Sequence, residues 1–163
     1  MSQPGRLKQV LDIATAHPND RVLVLCQWVE THATPLYELM QRSLRPRPVF
    51  FISGQTEDEQ RDWIRGVCVE HPTAVLVGTY PTLQAGVDWP RLNVIILASG
   101  TKSSVRVLQS IGRGLRRIPT KTETLIYDLS DQFKYSRRHA VVRADIYAQE
   151  GFTIQPVQEV VIN

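Results

Sequence analysis

Five short apolar runs constrain the fold of this chain more than any other feature. They cover residues 21–26, 48–52, 74–77, 93–98 and 124–127. Each run is apolar over most of its length and does not alternate with polar residues, which is typical of strands buried on both faces. Because helical patterns separate the runs, the sequence predicts an α/β domain of three layers, with a mostly parallel sheet and helices on both faces.

Helical spacing and helix-start signals occupy the intervals between these runs. The predicted buried faces are Leu7, Val10, Leu11 and Ala14 in the first helix, and Trp63, Ile64 and Val67 in a later one. Thr34 with Pro35 predicts a helix start with a threonine cap, and residues 56–59 read as a capping box. The tail after Asp131 looks helical to about Gln149, and an extended segment, predicted as an edge hairpin, follows it.

Length and composition favour one soluble globular domain. The chain has 163 residues, of which 42% are hydrophobic and 21% charged. No apolar run reaches membrane-spanning length and the N-terminus lacks a signal-peptide pattern, so we expect no membrane association and a cytoplasmic location. Without a secretory signal, Cys26 and Cys68 are predicted to be two buried thiols.

Basic residues are concentrated in the last third of the chain. Residues 89–122 contain no aspartate or glutamate. The basic residues of this stretch are Arg91, Lys102, Arg106, Arg113, Arg116, Arg117 and Lys121, and a second group follows with Lys134, Arg137, Arg138 and Arg143. A solvated surface is one explanation, but two such groups favour a polyanionic partner, either a nucleotide or a nucleic acid.

Residues 109–117 would form a helix with one apolar face and one face that carries polar and basic side chains. On a helix, Gln109, Arg113 and Arg116 fall within one narrow arc, and Ile111 and Leu115 fall on the opposite arc. Two guanidinium groups that converge on one point suit a polyphosphate. The alternative, an ordinary solvated basic face, would be the better interpretation for an isolated R-x-x-R.

The segment 77–88 follows the third predicted strand, at the edge where a parallel sheet usually binds ligands. Gly78 permits close approach of a backbone, and Thr79 offers a hydroxyl and an N–H to a phosphate. Gly86 precedes Asp88, whose carboxylate can accept from ribose hydroxyls. Alone, the segment could equally be a loop with ordinary turn glycines.

Taken in order, these segments resemble the motifs of superfamily 2 helicases. The pattern Q-x-x-G-R-x-x-R at 109–116 resembles motif VI, and 77–88 resembles motif V in a longer form that is similar to the UvsW-like branch-migrating DNA helicases. Residues 24–27 resemble the motif IV strand. Residues 52–54, followed by Arg61, resemble the element whose backbone amides meet DNA phosphates. The resemblance covers nearly the whole chain.

This resemblance implies that residues 1–163 are the C-terminal RecA-like lobe of a DNA helicase or branch-migration ATPase, without its N-terminal ATP-binding lobe. It implies that Arg113 and Arg116 act as arginine fingers. The implied nucleotide contacts are Gln109, Gly86, Asp88 and Gly112. The implied contacts to a DNA backbone, independent of base sequence, are Thr79, Gly78, Tyr80, Ser53, Gly54, Gln27, Lys102 and Arg106. ATP and Mg²⁺ are expected only with the N-terminal lobe, in cis or in trans.

Several other motifs are missing or misleading. The chain has no phosphate-binding loop, since Thr101 stands where such a loop needs glycine before Lys102. The D-E-x-x pattern that begins at Asp58 follows a turn and not a strand, so a structural role is predicted for it. Trp28 and Trp63 are predicted to pack in the core or at its edge, in preference to the alternative of platforms on which bases stack. A stand-alone nucleic-acid-binding or regulatory module without ATP turnover remains the alternative function.

Overall fold

The computed structural model describes residues 4–84, 92–99, 124–129, 134–149 and 153. Within these ranges the chain forms a five-stranded sheet in which every strand pairing is parallel. The strands are β1 (Val22–Cys26), β2 (Val49–Ile52), β3 (Val75–Thr79), β4 (Val94–Leu97) and β5 (Leu125–Asp128). Their order across the sheet is β2-β3-β1-β4-β5. The predicted parallel sheet and its five strands are confirmed.

Helices precede the first strand, follow the last one, and lie between several of the others. They are α1 (Pro4–Ala16), a π-helical turn (Val29–Ala33), α2 (Thr34–Ser43), α3 (Asp58–Glu70), α4 (Tyr80–Gln84) and α5 (Lys134–Gln149). The first helix and the helix that ends at Gln149 lie where the sequence predicted them. The extended segment predicted after α5 falls outside the described residues. In the described part of the chain, no helix has the length and apolar character needed to cross a bilayer.

The core consists of two clusters on opposite faces of the sheet. Val22 and Val24 of β1 belong to one cluster with residues of α1 and α2. Leu23 and Leu25 belong to the other with residues of α3, and Tyr147 of α5 packs against it. Because successive strand residues point to opposite faces, an uninterrupted apolar strand supplies both clusters at once. The predicted three-layer arrangement is confirmed.

Two predicted helix caps are wrong. Thr56 Oγ1 accepts the backbone N–H of Ser53 at 2.9 Å, so this hydroxyl closes the turn before α3. The N-cap residue of α3 is Glu57, which makes no side-chain capping bond. At α2 the N-cap position belongs to Ala33 and not to Thr34, because the π-helical turn leads directly into the helix.

The burial predicted for Trp63 is wrong, and neither Trp28 nor Trp63 belongs to the core. Trp28 is 60% exposed and Trp63 is 61% exposed. On α3 the buried side chains are Ile64 and Cys68, four residues apart, and Trp63 lies about 100° around the helix from Ile64. The Trp63 ring instead meets Phe50 of the edge strand β2 in a T-shaped contact, with ring centroids 5.9 Å apart.

Arg143 belongs to the core and not to a basic surface. Its Nε donates to Asp128 Oδ2 at 2.6 Å and its Nη2 donates to Oδ1 at 2.9 Å. The hydroxyl of Tyr147 donates to the same carboxylate at 2.8 Å. Burial favours a lower pKa for Arg143, but the hydrogen bond and charge of Asp128 outweigh burial and raise that pKa. The interpretation of Arg143 as part of a polyanion-binding group is therefore wrong.

Replacement of Arg143 should destabilise the fold strongly. Arg143→Met leaves the Asp128 carboxylate half-buried without its bidentate partner, and we expect a loss of about 3 kcal/mol in the free energy of unfolding. Arg42→Met is the matched control, because Arg42 pairs with Glu38 where both side chains are exposed. That control should cost less than about 0.5 kcal/mol. Urea unfolding measures both, and equal losses would contradict the buried role of Arg143.

The two cysteines should be unreactive in the folded protein. Cys26 and Cys68 are free and buried, as predicted. Burial raises the pKa of each thiol to about 12 because it disfavours the charged thiolate. At pH 8 only about one thiol in ten thousand is then ionised. A disulfide-exchange reagent at pH 8 should label two thiols in denaturant and neither in the native state; fast native labelling of Cys26 or Cys68 would refute this.

Candidate nucleic-acid interface

The carboxyl ends of three adjacent strands meet at one edge of the sheet. In β1 and β3, Cys26 is in register with Thr79, and in β2 and β3, Ile52 is in register with Gly78. The residues that follow each strand therefore leave the sheet at the same level. This is the edge at which open parallel sheets bind ligands.

A cleft of about 460 Å³ opens at this edge. Its walls come from the end of β1, the turn after β2, helix α3 and the end of β3. The lining residues are Gln27, Trp28, Val29, Gly54, Gln55, Arg61, Thr79, Pro81 and Thr82. The structure thus brings together Gln27, Gly54 and Thr79, three of the residues that the sequence predicted to contact nucleic acid.

The turn after β2 presents its backbone to the cleft. Ser53 is buried, and its Oγ accepts the N–H of Gln55 at 3.2 Å while its carbonyl accepts the N–H of Thr56 at 3.1 Å. Ser53 therefore organises the turn, and the cleft surface comes from Gly54 and Gln55. A methyl group added at Gly54 would meet no atom within 4 Å, so a ligand can approach this backbone closely.

Thr79 lines the cleft, whereas the two residues beside it do not. The hydroxyls of Thr79 and Thr82 lie 2.8 Å apart, and both residues are buried. Gly78 is enclosed within the sheet, in register with Leu25 and with Ile52 on its two sides. Gly78 therefore supports the strand rather than the cleft surface.

Tyr80 is fully buried, so its phenol cannot reach a nucleic acid in this conformation. Its hydroxyl donates to the carbonyl of Ser99 at 2.7 Å. Burial, reinforced by the charge of Asp128, raises the pKa of Tyr80 well above its ordinary value, so the phenol stays neutral. The ring of Tyr80 packs into the core where α4 begins, so its side chain has a structural role, and a contact of Tyr80 with nucleic acid stays a prediction for its backbone alone.

Two side chains at the cleft each have a buried polar atom that forms no hydrogen bond within the described part of the chain. Gln27 donates its backbone N–H to Ser99 Oγ at 2.9 Å, but its buried Oε1 has no partner there. Arg61 donates from Nη2 to the carbonyl of Thr56 at 3.1 Å, and its buried Nε has no partner there. Its Nη1 lies 3.7 Å from Oδ1 of Asp58, whose side chain is almost fully exposed. The Arg61 charge is thus weakly compensated.

The predicted nucleotide-binding residues lie outside the described residues. They are Gln109, Gly112, Arg113, Arg116, Gly86 and Asp88, and the same holds for the predicted DNA contacts Lys102 and Arg106. Among the residues that the structure describes, no three histidine, cysteine, aspartate or glutamate side chains gather as metal ligands. Asp58 begins α3, in agreement with the structural role predicted for the D-E-x-x pattern.

The sequence interpretation did not single out five of the cleft residues, namely Trp28, Val29, Gln55, Pro81 and Thr82. Its position in the sequence could have indicated that Trp28 lines the cleft, since Trp28 stands two residues after a buried strand at the ligand edge of the sheet. The residue type favoured a place in the core instead, because tryptophan side chains are usually well buried.

Comparison with known proteins agrees with this geometry. Residues 3–117 match the family of helicase conserved C-terminal domains. The chain is 26% identical over 158 residues to the ATP-dependent DNA helicase uvsW of Enterobacteria phage T4, covering 87% of this chain and 31% of that helicase. It thus spans about a third of that relative.

Solved structures show the same fold. The crystal structure of T4 UvsW superposes with a TM-score of 0.73 at 26% identity, over 93% of this chain and 33% of that one. Domain 2 of the DEAD-box helicase Mss116p, solved with an RNA duplex, gives a TM-score of 0.70 at 14% identity, over 95% of this chain and 61% of that one. Since the family match covers more than half of its residues, the chain belongs to the helicase conserved C-terminal domains and has their RecA-like fold.

Proposed function

We propose that this chain works as the second lobe of an ATP-dependent DNA helicase or branch-migration ATPase. One observation carries the proposal: the cleft at the carboxyl ends of β1, β2 and β3 gathers Gln27, Gly54 and Thr79 around Arg61. These residues come from four separate segments of the sequence. The similarity to the T4 helicase extends over 87% of the chain, and so includes the arginine-rich stretch.

The cleft suits the backbone of a nucleic-acid strand. It offers an accessible glycine backbone at Gly54, the hydroxyl of Thr79 and the guanidinium of Arg61. These groups bind phosphate and sugar and do not read base edges. Binding at this site should therefore be independent of base sequence, as expected for an enzyme that travels along DNA.

The nucleotide side of the proposal rests on the sequence. Arg113 and Arg116 would face the charge that develops on the γ-phosphate, with Gln109 and Gly112 beside the nucleotide and Gly86 and Asp88 near its ribose. Magnesium nucleotide held by a partner lobe would supply the phosphoryl chemistry. Arginine fingers contribute roughly 10³- to 10⁵-fold in rate in comparable systems.

Single-stranded DNA binding by the chain should depend on salt through Arg61. Phosphate contacts release counterions, so affinity falls steeply as salt rises. Arg61→Gln removes one such contact and should lower the slope of log affinity against log salt by about 0.7. Arg65→Gln is the matched control, because Arg65 lies one turn further along α3, 3.4 Å from Asp62, and does not line the cleft. A salt-independent affinity of the wild type, or equal slopes in both variants, would contradict the phosphate contact.

ATP turnover should require both a partner lobe and the predicted arginine fingers. Alone, the chain should hydrolyse no ATP above background. Combined with an N-terminal lobe that carries a phosphate-binding loop, it should hydrolyse ATP in a DNA-stimulated manner. Arg113→Ala and Arg116→Ala should each remove most turnover, with a smaller effect on nucleotide affinity, because their charge acts chiefly in the transition state.

Arg117→Ala is the internal control in this ATPase experiment. Arg117 lies about 100° further around the predicted helix than Arg116, so it cannot reach the same phosphate. Its replacement by alanine should therefore leave ATP turnover almost unchanged. Thermal melts of each variant verify folding. A loss of ATP turnover in Arg117→Ala alone would show that the wrong face of the predicted helix was assigned to the nucleotide. Absence of turnover in every mixture would favour the alternative of a module without ATP turnover.

A further inference from the structure

An exposed tryptophan stands at the proposed nucleic-acid cleft. Trp28 lines the cleft and is 60% exposed. Burial of so large an apolar ring normally stabilises a domain, and Trp28 leaves most of its ring in contact with solvent. Exposure alone does not set Trp28 apart, since Trp63 is equally exposed; Trp28 differs in that its ring stands at the cleft, where a bound ligand can cover it.

The backbone on both sides of Trp28 is held in place. The N–H of the preceding Gln27 is bonded to Ser99 Oγ at 2.9 Å, which ties the end of β1 to the residues after β4. The carbonyl of Trp28 accepts the N–H of Ala33 at 3.0 Å, which closes the π-helical turn. Trp28 itself is extended, with φ −120° and ψ 140°. A ring on a fixed backbone loses little conformational freedom when a ligand stacks on it.

The neighbours of Trp28 define the chemistry of that ligand. Arg61 and Thr79 on the same cleft suit a phosphate and a sugar, and the indole face suits a flat aromatic ring. A charged groove combined with an aromatic platform is the arrangement by which proteins bind single strands without sequence preference. A paired base cannot use such a platform, because its faces are already covered by the duplex stack.

We propose that Trp28 stacks on an unpaired base of the strand whose backbone lies in this cleft. The inference deepens the proposed function and rests on it, because the strand must first be held by the cleft. It assigns the chain a preference for strands with exposed bases over intact duplex. The preference is tolerant of base identity, since every base has a face that can stack.

The test compares two tryptophans of equal exposure on two kinds of strand. Trp28→Ala is the test variant, and Trp63→Ala is the matched control, since Trp63 is 61% exposed but does not line the cleft. Each full-length variant is titrated with a thymine oligonucleotide and with an abasic oligonucleotide of the same length. Both oligonucleotides carry the same phosphates, so only stacking distinguishes them.

On the thymine strand, Trp28→Ala should weaken binding about tenfold, and Trp63→Ala should leave it unchanged. On the abasic strand, the wild type and Trp28→Ala should bind equally. Trp28→Phe, which keeps an aromatic face, should retain most of the affinity for the thymine strand. Quenching of tryptophan fluorescence by the thymine strand should be lost in Trp28→Ala and kept in Trp63→Ala. Thermal melts check that every variant is folded.

Two outcomes would overturn stacking by Trp28 while leaving the proposed function intact. One is normal binding of Trp28→Ala to the thymine strand while wild-type binding still falls with salt. The other is an equal loss on thymine and abasic strands, which would mean that Trp28 shapes the cleft or its phosphate contacts. Failure of the wild type to bind either strand would overturn both proposals and would leave Trp28 as a contact for a protein partner.

Discussion

The parallel pairing of β1 with both β3 and β4 is the constraint on which the rest of this structure depends. Val22 of β1 is in register with Val75 on one side and with Val94 on the other. Every residue of β1 is buried, so its two faces support the two core clusters at once. Parallel strands also end at one edge, and this aligns the segments that follow β1, β2 and β3 around a single cleft.

Hydrogen bonds beyond the strands connect that cleft to its neighbours. Ser99, which follows β4, accepts the N–H of Gln27 through its hydroxyl and the hydroxyl of Tyr80 through its carbonyl. One residue thus joins the ends of β1, β3 and β4. The segment that leads from β4 toward the predicted arginine helix begins beside the residues that line the cleft.

The sequence interpretation failed for side chains whose surroundings it did not predict. The burial of Trp63 and the polyanion-binding role of Arg143 were inferred from the usual behaviour of tryptophan and of a basic cluster, whereas the contact of Tyr80 was implied by the family resemblance. Trp63 is exposed because Ile64 and Cys68 already occupy the buried face of α3. Arg143 is buried because Asp128, fifteen residues earlier, provides a bidentate partner at the end of β5. The surroundings of Arg143 thus depend on a residue of another element, whereas those of Trp63 depend on which face of its own helix packs against the sheet.

The sequence by itself determined the fold class, the five strands and the segments from which a ligand site would be built. Those properties depend on runs of apolar residues and on helical spacing, which can be read from short stretches of the chain one at a time. It also carried the resemblance from which Gln27, Gly54 and Thr79 were predicted to share a site. Only the tertiary structure decided that Ser53 and Gly78 support the cleft from behind, that Tyr80 belongs to the core, and that Trp28 and Arg61 stand beside the bound strand's proposed path. The physical reason is that burial and hydrogen bonding depend on which residues, distant in the sequence, the packed sheet brings into contact. Those contacts exist only once the layers have assembled.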